Sequence, residues 1–200
     1  MLRTTHRVSA VFLSIFIFIH LLNHTYAVIG TAEHIAFMEA YRSIYRMLII
    51  EAVLMMAVLT QVVTGVMLIK KGSGKRFGFF EKLQAYSGGY LAFFLIVHTS
   101  AVLFGRLVPE LDTNFYFGAA GMHFEPYHFF FLPYYFLAIV AFTNHLACAV
   151  FFNAGGSKSG KVAGFSMIAG GFLLAFIIIT AFAGGFYEIE IPAEYKEMYQ

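Results

Sequence analysis

Five apolar windows of membrane-spanning length constrain this chain more than any other feature. They run over roughly 8–29, 45–69, 84–107, 127–152 and 162–184, each near the ~20 residues a helix needs to cross a hydrocarbon core. Inside a bilayer no water is available to a bare peptide group, so a spanning segment must close its hydrogen bonds internally, as a helix does. The connections are short and polar, and Gly72-Ser73-Gly74 and Gly155-Gly156-Ser157 interrupt the apolar pattern. The expected fold is all-α, a single five-helix transmembrane bundle over residues 1–200 with no room for a soluble domain.

Composition narrows the function. The chain is 60% hydrophobic and 12% charged, with a mean hydropathy of +0.76, which places it in the membrane class. A net charge of +2 gives no electrostatic footprint for a nucleic-acid partner. The single cysteine, Cys148, excludes an internal disulfide, a Cys-ligated iron–sulfur cluster and a multi-Cys zinc site. The apolar segment after Arg3 and Arg7 is too long for a signal-peptide core and reads as a retained span.

Basic residues set the expected orientation. Arg3, Arg7, Lys70, Lys71, Lys75, Arg76, Lys82, Lys158 and Lys161 fall on one side, against Arg42, Arg46, Arg106 and Lys196 on the other with nearly all the acids. The positive-inside rule then puts the N-terminus in the cytoplasm and the C-terminus outside. The basic 70–82 connection suits anionic lipid or a docked partner subunit. With no targeting extension at the N-terminus, a bacterial cytoplasmic membrane is expected over the mitochondrial inner membrane.

Histidines at membrane depth carry the chemistry. An ionisable residue there is costly, so it marks a site with a ligand or a proton to handle. Counted from the inner boundary, His20 lies roughly 18 Å deep on the first span and His98 roughly 21 Å deep on the third. Two neutral imidazoles at one level, on different helices, can clamp a b haem from both faces. His145 on the fourth span and Gln61 on the second lie roughly 11 and 12 Å deep and share a second, inner layer, where glutamine stands in the place of a fourth ligand. His24, one turn beyond His20 on the same face, is a secondary candidate that suits a hydrogen bond to quinone, propionate or carbonyl. His34, His123 and His128 suit interfacial roles, and His6 an exposed place at the cytoplasmic rim. Arg42, Arg46 and Arg106 are candidates for haem propionates, and Asn23 and Asn144 for support of neighbouring histidines. Glu51 reads as a boundary carboxylate paired with Arg46 or another outer cation. Gly88-Gly89 and Gly170-Gly171 allow close helix approach. The last span, with no ionisable residue between Lys161 and Glu188, reads as a structural wall.

The stretch His20-Leu-Leu-Asn-His24 after Arg7-Val-Ser-Ala resembles the first helix of the single-polypeptide cytochrome b anchor of succinate:quinone and fumarate reductases. Tyr45-Arg46, Glu51, Gln61 before Thr64-Gly65, His98 and His145 extend that resemblance over the five spans. It implies an anchor for flavoprotein and iron–sulfur subunits on the cytoplasmic face, passing electrons to membrane quinone through b haems. His20 and His98 match the ligands of the haem farther from the iron–sulfur subunit. His145 matches one ligand of the nearer haem, whose other histidine aligns with Gln61. Because glutamine ligates haem poorly, three inner-layer arrangements are open: no haem, with quinone or lipid there and His145 and Gln61 bonding a quinone; a haem on His145 alone; or a sixth ligand from Met56 or Met67. One haem b is expected and two are allowed. A b-type cytochrome of another membrane oxidoreductase, or a haem-free structural subunit, are the alternatives.

Overall fold

The computed structural model describes residues 1–72, 74 and 78–199. Ser73, Lys75, Arg76 and Phe77, part of the basic connection expected to meet lipid or a partner, lie outside the described residues, as does Gln200. Among the described residues the chain forms α-helices and no strand: α1 (Leu2–Tyr26), α2 (Thr31–Tyr45), α3 (Leu48–Lys71), α4 (Phe79–Leu107), α5 (Phe115–His123), α6 (His128–Asn153), α7 (Lys158–Phe182) and α8 (Ala193–Lys196), with a closing 3₁₀ turn at Glu197–Tyr199. Helices α1, α3, α4, α6 and α7 are long and apolar enough to cross a membrane. The chain is an all-α protein with five candidate spans.

Three of these spans, α1, α4 and α7, begin earlier than the apolar windows suggest. Helix α1 starts at Leu2, because Arg3 and Arg7, both exposed, are good helix formers that extend the helix beyond its apolar stretch. Helix α4 starts at Phe79, where the Glu81 carboxylate accepts the Gly78 N–H at 2.9 Å and satisfies a donor the helix leaves orphaned. The connections at the acidic end also hold structure that the spans did not foreshadow. Helix α2 is too short and polar to cross, and α5 is opened by Asn114, whose side chain accepts the Tyr116 N–H at 2.9 Å.

The spans pack in the order α1–α3–α4–α6–α7. Lipid supplies no hydrophobic drive between helices, so close van der Waals approach must hold them. Small residues on α7 provide it: a Cβ at Gly171 would meet Thr143 Oγ1 at 1.9 Å, and one at Gly164 would meet the Phe80 ring at 2.9 Å. Overpacking such a seam costs on the order of 1–3 kcal/mol. A buried core lies at the acidic end, where Phe115, Ala119, Ile178, Phe182, Ile191 and Tyr195 are buried together. The C-terminal tail completes it, as Tyr187 donates to the Ala27 carbonyl at 2.7 Å and Tyr195 to the Asp112 carbonyl at 2.8 Å. By contrast α1 leans on α3 and only lightly on α7, and its backbone stands off from α4 and α6. Histidine side chains bridge that separation.

Candidate functional site

Helical periodicity gathers the histidines of α1. His6 and His20 are fourteen residues apart, nearly four turns or about 21 Å, and project within about 40° of each other. His24 follows His20 by one turn on the same face. His6 and His20 meet rings across the gap, and His24 meets His34 of α2.

Toward the acidic end, His20 faces His98 of α4 with ring centroids 6.2 Å apart and planes at 60°. A metal bound to one nitrogen of each ring at about 2 Å puts the ring centres roughly 6 Å apart, and the planes may take any mutual angle because each ring turns about its own bond. The separation therefore fits a bis-imidazole site. Phenylalanines one turn earlier hold both rings: Phe16 stacks on His20 at 5.6 Å and Phe94 on His98 at 4.9 Å. Among the described residues, no hydrogen bond reaches either ring nitrogen of His98.

His20 is otherwise engaged. Its Nε2 lies 3.1 Å from His24 Nε2, and His24 Nδ1 lies 3.0 Å from His34 Nε2, which also takes an N–H from the Asn23 amide at 3.2 Å. A neutral imidazole has one donor and one acceptor, so with the Asn23 amide donating, the His34 Nε2 lone pair is shared between two N–H groups. His34 Nε2 accepts from both Asn23 and His24, and His24 Nε2 accepts from His20. The His34 proton then sits on Nδ1, a buried atom with no hydrogen-bond partner. His34 is 2% exposed, wedged against Phe115 and Phe182 at 5.2 and 5.4 Å. Burial, reinforced by His20 nearby, lowers its pKa to about 4 and keeps it neutral. An interfacial place was expected for His34; α2 folds back over the bundle end and buries it. His123 donates from Nε2 to the Phe182 carbonyl at 2.9 Å, a structural tie at that end.

The basic end holds a second pair. His145 of α6 faces His6, not Gln61, with ring centroids 6.4 Å apart and planes at 75°. His6 Nδ1 is 2.8 Å from Thr64 Oγ1 of α3, and His145 Nδ1 is 3.2 Å from Ser87 Oγ of α4. His145 also has a hydrogen bond to the Gln84 backbone. A Cβ at Gly88 would come 3.0 Å from His145 Cε1 and 3.3 Å from its Nδ1, so any larger residue there would push this ring by a few tenths of an ångström. Gln61 binds α1 instead: its amide nitrogen donates to the His6 carbonyl and to Ser9 Oγ, both at 2.6 Å. Asn144, beside His145, is buried with its Oδ1 unpartnered.

The charged groups form a rim at the acidic end. Arg106 pairs with Glu51, so the boundary carboxylate has the outer cation expected for it, Arg106 and not Arg46. Arg42 bridges Glu39 and Asp112. Arg46, a candidate propionate contact, donates to Thr113 Oγ1 at 2.9 Å and lies 4.0 Å from Asp112.

Sequence reasoning missed His6 as a member of a pair, because the first apolar window starts two residues after it. The signal was present in its fourteen-residue spacing from His20, which places both on one face. Ser87 and Thr64, ordinary hydroxyls in apolar helices, carried no such signal. Models of known protein families, curated proteins and solved structures were compared with the chain, and none matches.

Proposed function

We propose that the chain is the membrane anchor and haem b electron-transfer subunit of a succinate:quinone oxidoreductase or fumarate reductase complex, carrying electrons between an iron–sulfur subunit and membrane quinone. The observation that carries this reading is the His20–His98 pair, 6.2 Å apart across the gap between α1 and α4. Isolated membrane histidines serve many structural ends. Two on separate helices, at the spacing of a shared metal and each buttressed by a phenylalanine, fit an axial ligand pair.

In this reading His20 and His98 hold the haem iron, and the bound haem supplies one-electron redox chemistry between the soluble partner and quinone. The protein's own residues do the rest. His20 would hold the iron through Nε2 only by giving up its hydrogen bond to His24, which that nitrogen makes. His24 and His34 then remain as a hydrogen-bonded pair one layer nearer the acidic end, and Arg46, Arg42 and Arg106 supply cations at that rim for carboxylates such as propionates. The flavoprotein and iron–sulfur subunits would sit at the basic end, which positive-inside logic places in the cytoplasm of a bacterial cell.

The test is a pyridine haemochrome assay on the chain purified from membranes, with haem b counted per chain. At least one haem is expected, and His98→Ala is expected to remove one equivalent. A wild-type chain free of haem, or a His98→Ala variant with an unchanged count and spectrum, would overturn the reading.

A further inference from the structure

Gln61 was the residue expected beside His145, yet both its amide hydrogens are committed to α1, one to the His6 carbonyl and one to Ser9 Oγ. It retains no donor for a quinone carbonyl, and its effect is to fix the helical turn that carries His6. What faces His145 is the His6 ring itself.

We propose that His6 and His145 are the axial pair of a second b haem at the basic end of the bundle, with Thr64 and Ser87 orienting the two imidazoles. The inference rests on the reading of this chain as a haem-binding anchor. Three observations carry it. The ring centroids lie 6.4 Å apart, against 6.2 Å for His20 and His98. Both rings use Nδ1 toward a hydroxyl, on Thr64 and on Ser87, the arrangement in which an oxygen acceptor fixes the tautomer and leaves Nε2 as the metal's lone pair. Gly88 clears space at His145, where a Cβ would press on the ring at 3.0 Å.

The inner site differs from the outer one in a way that favours loading. No imidazole competes for Nε2 here, whereas His20 must release His24. Helix α1 would contribute one ligand to each haem from a single face, with α6 and α4 supplying the opposite ligands. No methionine is needed to complete the inner iron.

The experiment is haem stoichiometry with electron paramagnetic resonance of the oxidised full chain. Wild type is expected to hold two haems b per chain with two low-spin ferric signals. His6→Gly should fall to one, keep the signal that His98→Ala loses, and regain the second in millimolar imidazole, which fills the vacated volume. That rescue separates a missing ligand from a misfolded chain. Gly88→Val, which pushes on His145 without touching a ligand, should lose the same single haem. A His6→Gly variant with the wild-type count and spectrum overturns the inner site and leaves the His20–His98 reading standing. So does a wild type holding one haem that His98→Ala removes and His6→Gly keeps. Wild type without haem overturns both.

Discussion

The two histidine layers use the same residue type in opposite ways. At the acidic end the rings are coupled to one another, as His20, His24 and His34 share nitrogens in a chain that Asn23 orients. At the basic end neither ring bonds another imidazole: His6 is anchored on the Thr64 hydroxyl, and His145 on the Ser87 hydroxyl and the Gln84 backbone. A chain of neutral imidazoles must keep one donor direction throughout, so changing one ring's partner affects the others. A ring on a hydroxyl has no such dependence. The outer layer is thus a cooperative network and the inner layer two separately anchored rings, a difference that substitution can read out.

The largest expected effect is at the ligands. His98→Ala should abolish the outer haem while the inner ligands, on α1 and α6, keep theirs; loss of both haems together would show that the layers are not independent. Acid should come next, through His34. Its proton binds only below about 4 in the fold but near 6.5 in the unfolded chain, so the unfolded chain takes up the proton first. Stability then falls as pH drops from 6.5 to about 4 and levels off below, by roughly 3 kcal/mol at most. Thermal unfolding of the detergent-solubilised chain, followed by circular dichroism, would read this, and His34→Gln should flatten the slope. An unchanged slope in that variant would assign the acid response elsewhere.

Smaller effects sharpen the contrast. Thr64→Val keeps the shape of the side chain and removes the His6 Nδ1 partner. It should weaken inner haem retention by about 10- to 100-fold, the usual range for a residue that orients a metal ligand, and leave the outer haem unchanged. Equal weakening of both haems in a dilution or competition assay would refute separate anchoring. Least of all, Arg46→Gln should cost under about 1 kcal/mol, since its bonds to Thr113 and Asp112 lie at a partly solvated rim. A larger loss in thermal unfolding would mean that Arg46 carries more of the rim than those contacts suggest.

Much of this was readable from the residues. The five spans followed from apolar length, and the separation of basic from acidic ends followed from charge placement, because bilayer thickness and backbone hydrogen bonding permit few alternatives. His20, His24, His98 and His145 stood out because ionisable groups at depth are expensive. The pairing of His20 with His98 was inferred from depth, and the structure brings the two rings together. His145 was placed by depth beside Gln61, and there the geometry departs: Gln61 reaches the α1 backbone and His6 takes the place across from His145.

The sequence by itself determined the class, the number of spans, their alternation and which faces carry histidine, since helical period and bilayer thickness act locally. Only the tertiary structure decided that α2 folds over the acidic end to bury His34, that Tyr187 and Tyr195 tie the tail to Ala27 and Asp112, and that His6 meets His145. Those contacts join residues far apart in the chain, 58 to 160 positions for the Ser87–His145 and Tyr187–Ala27 bonds. They depend on which helix faces which, and that is settled by the fit of small residues such as Gly88 and Gly171 against the neighbouring helix.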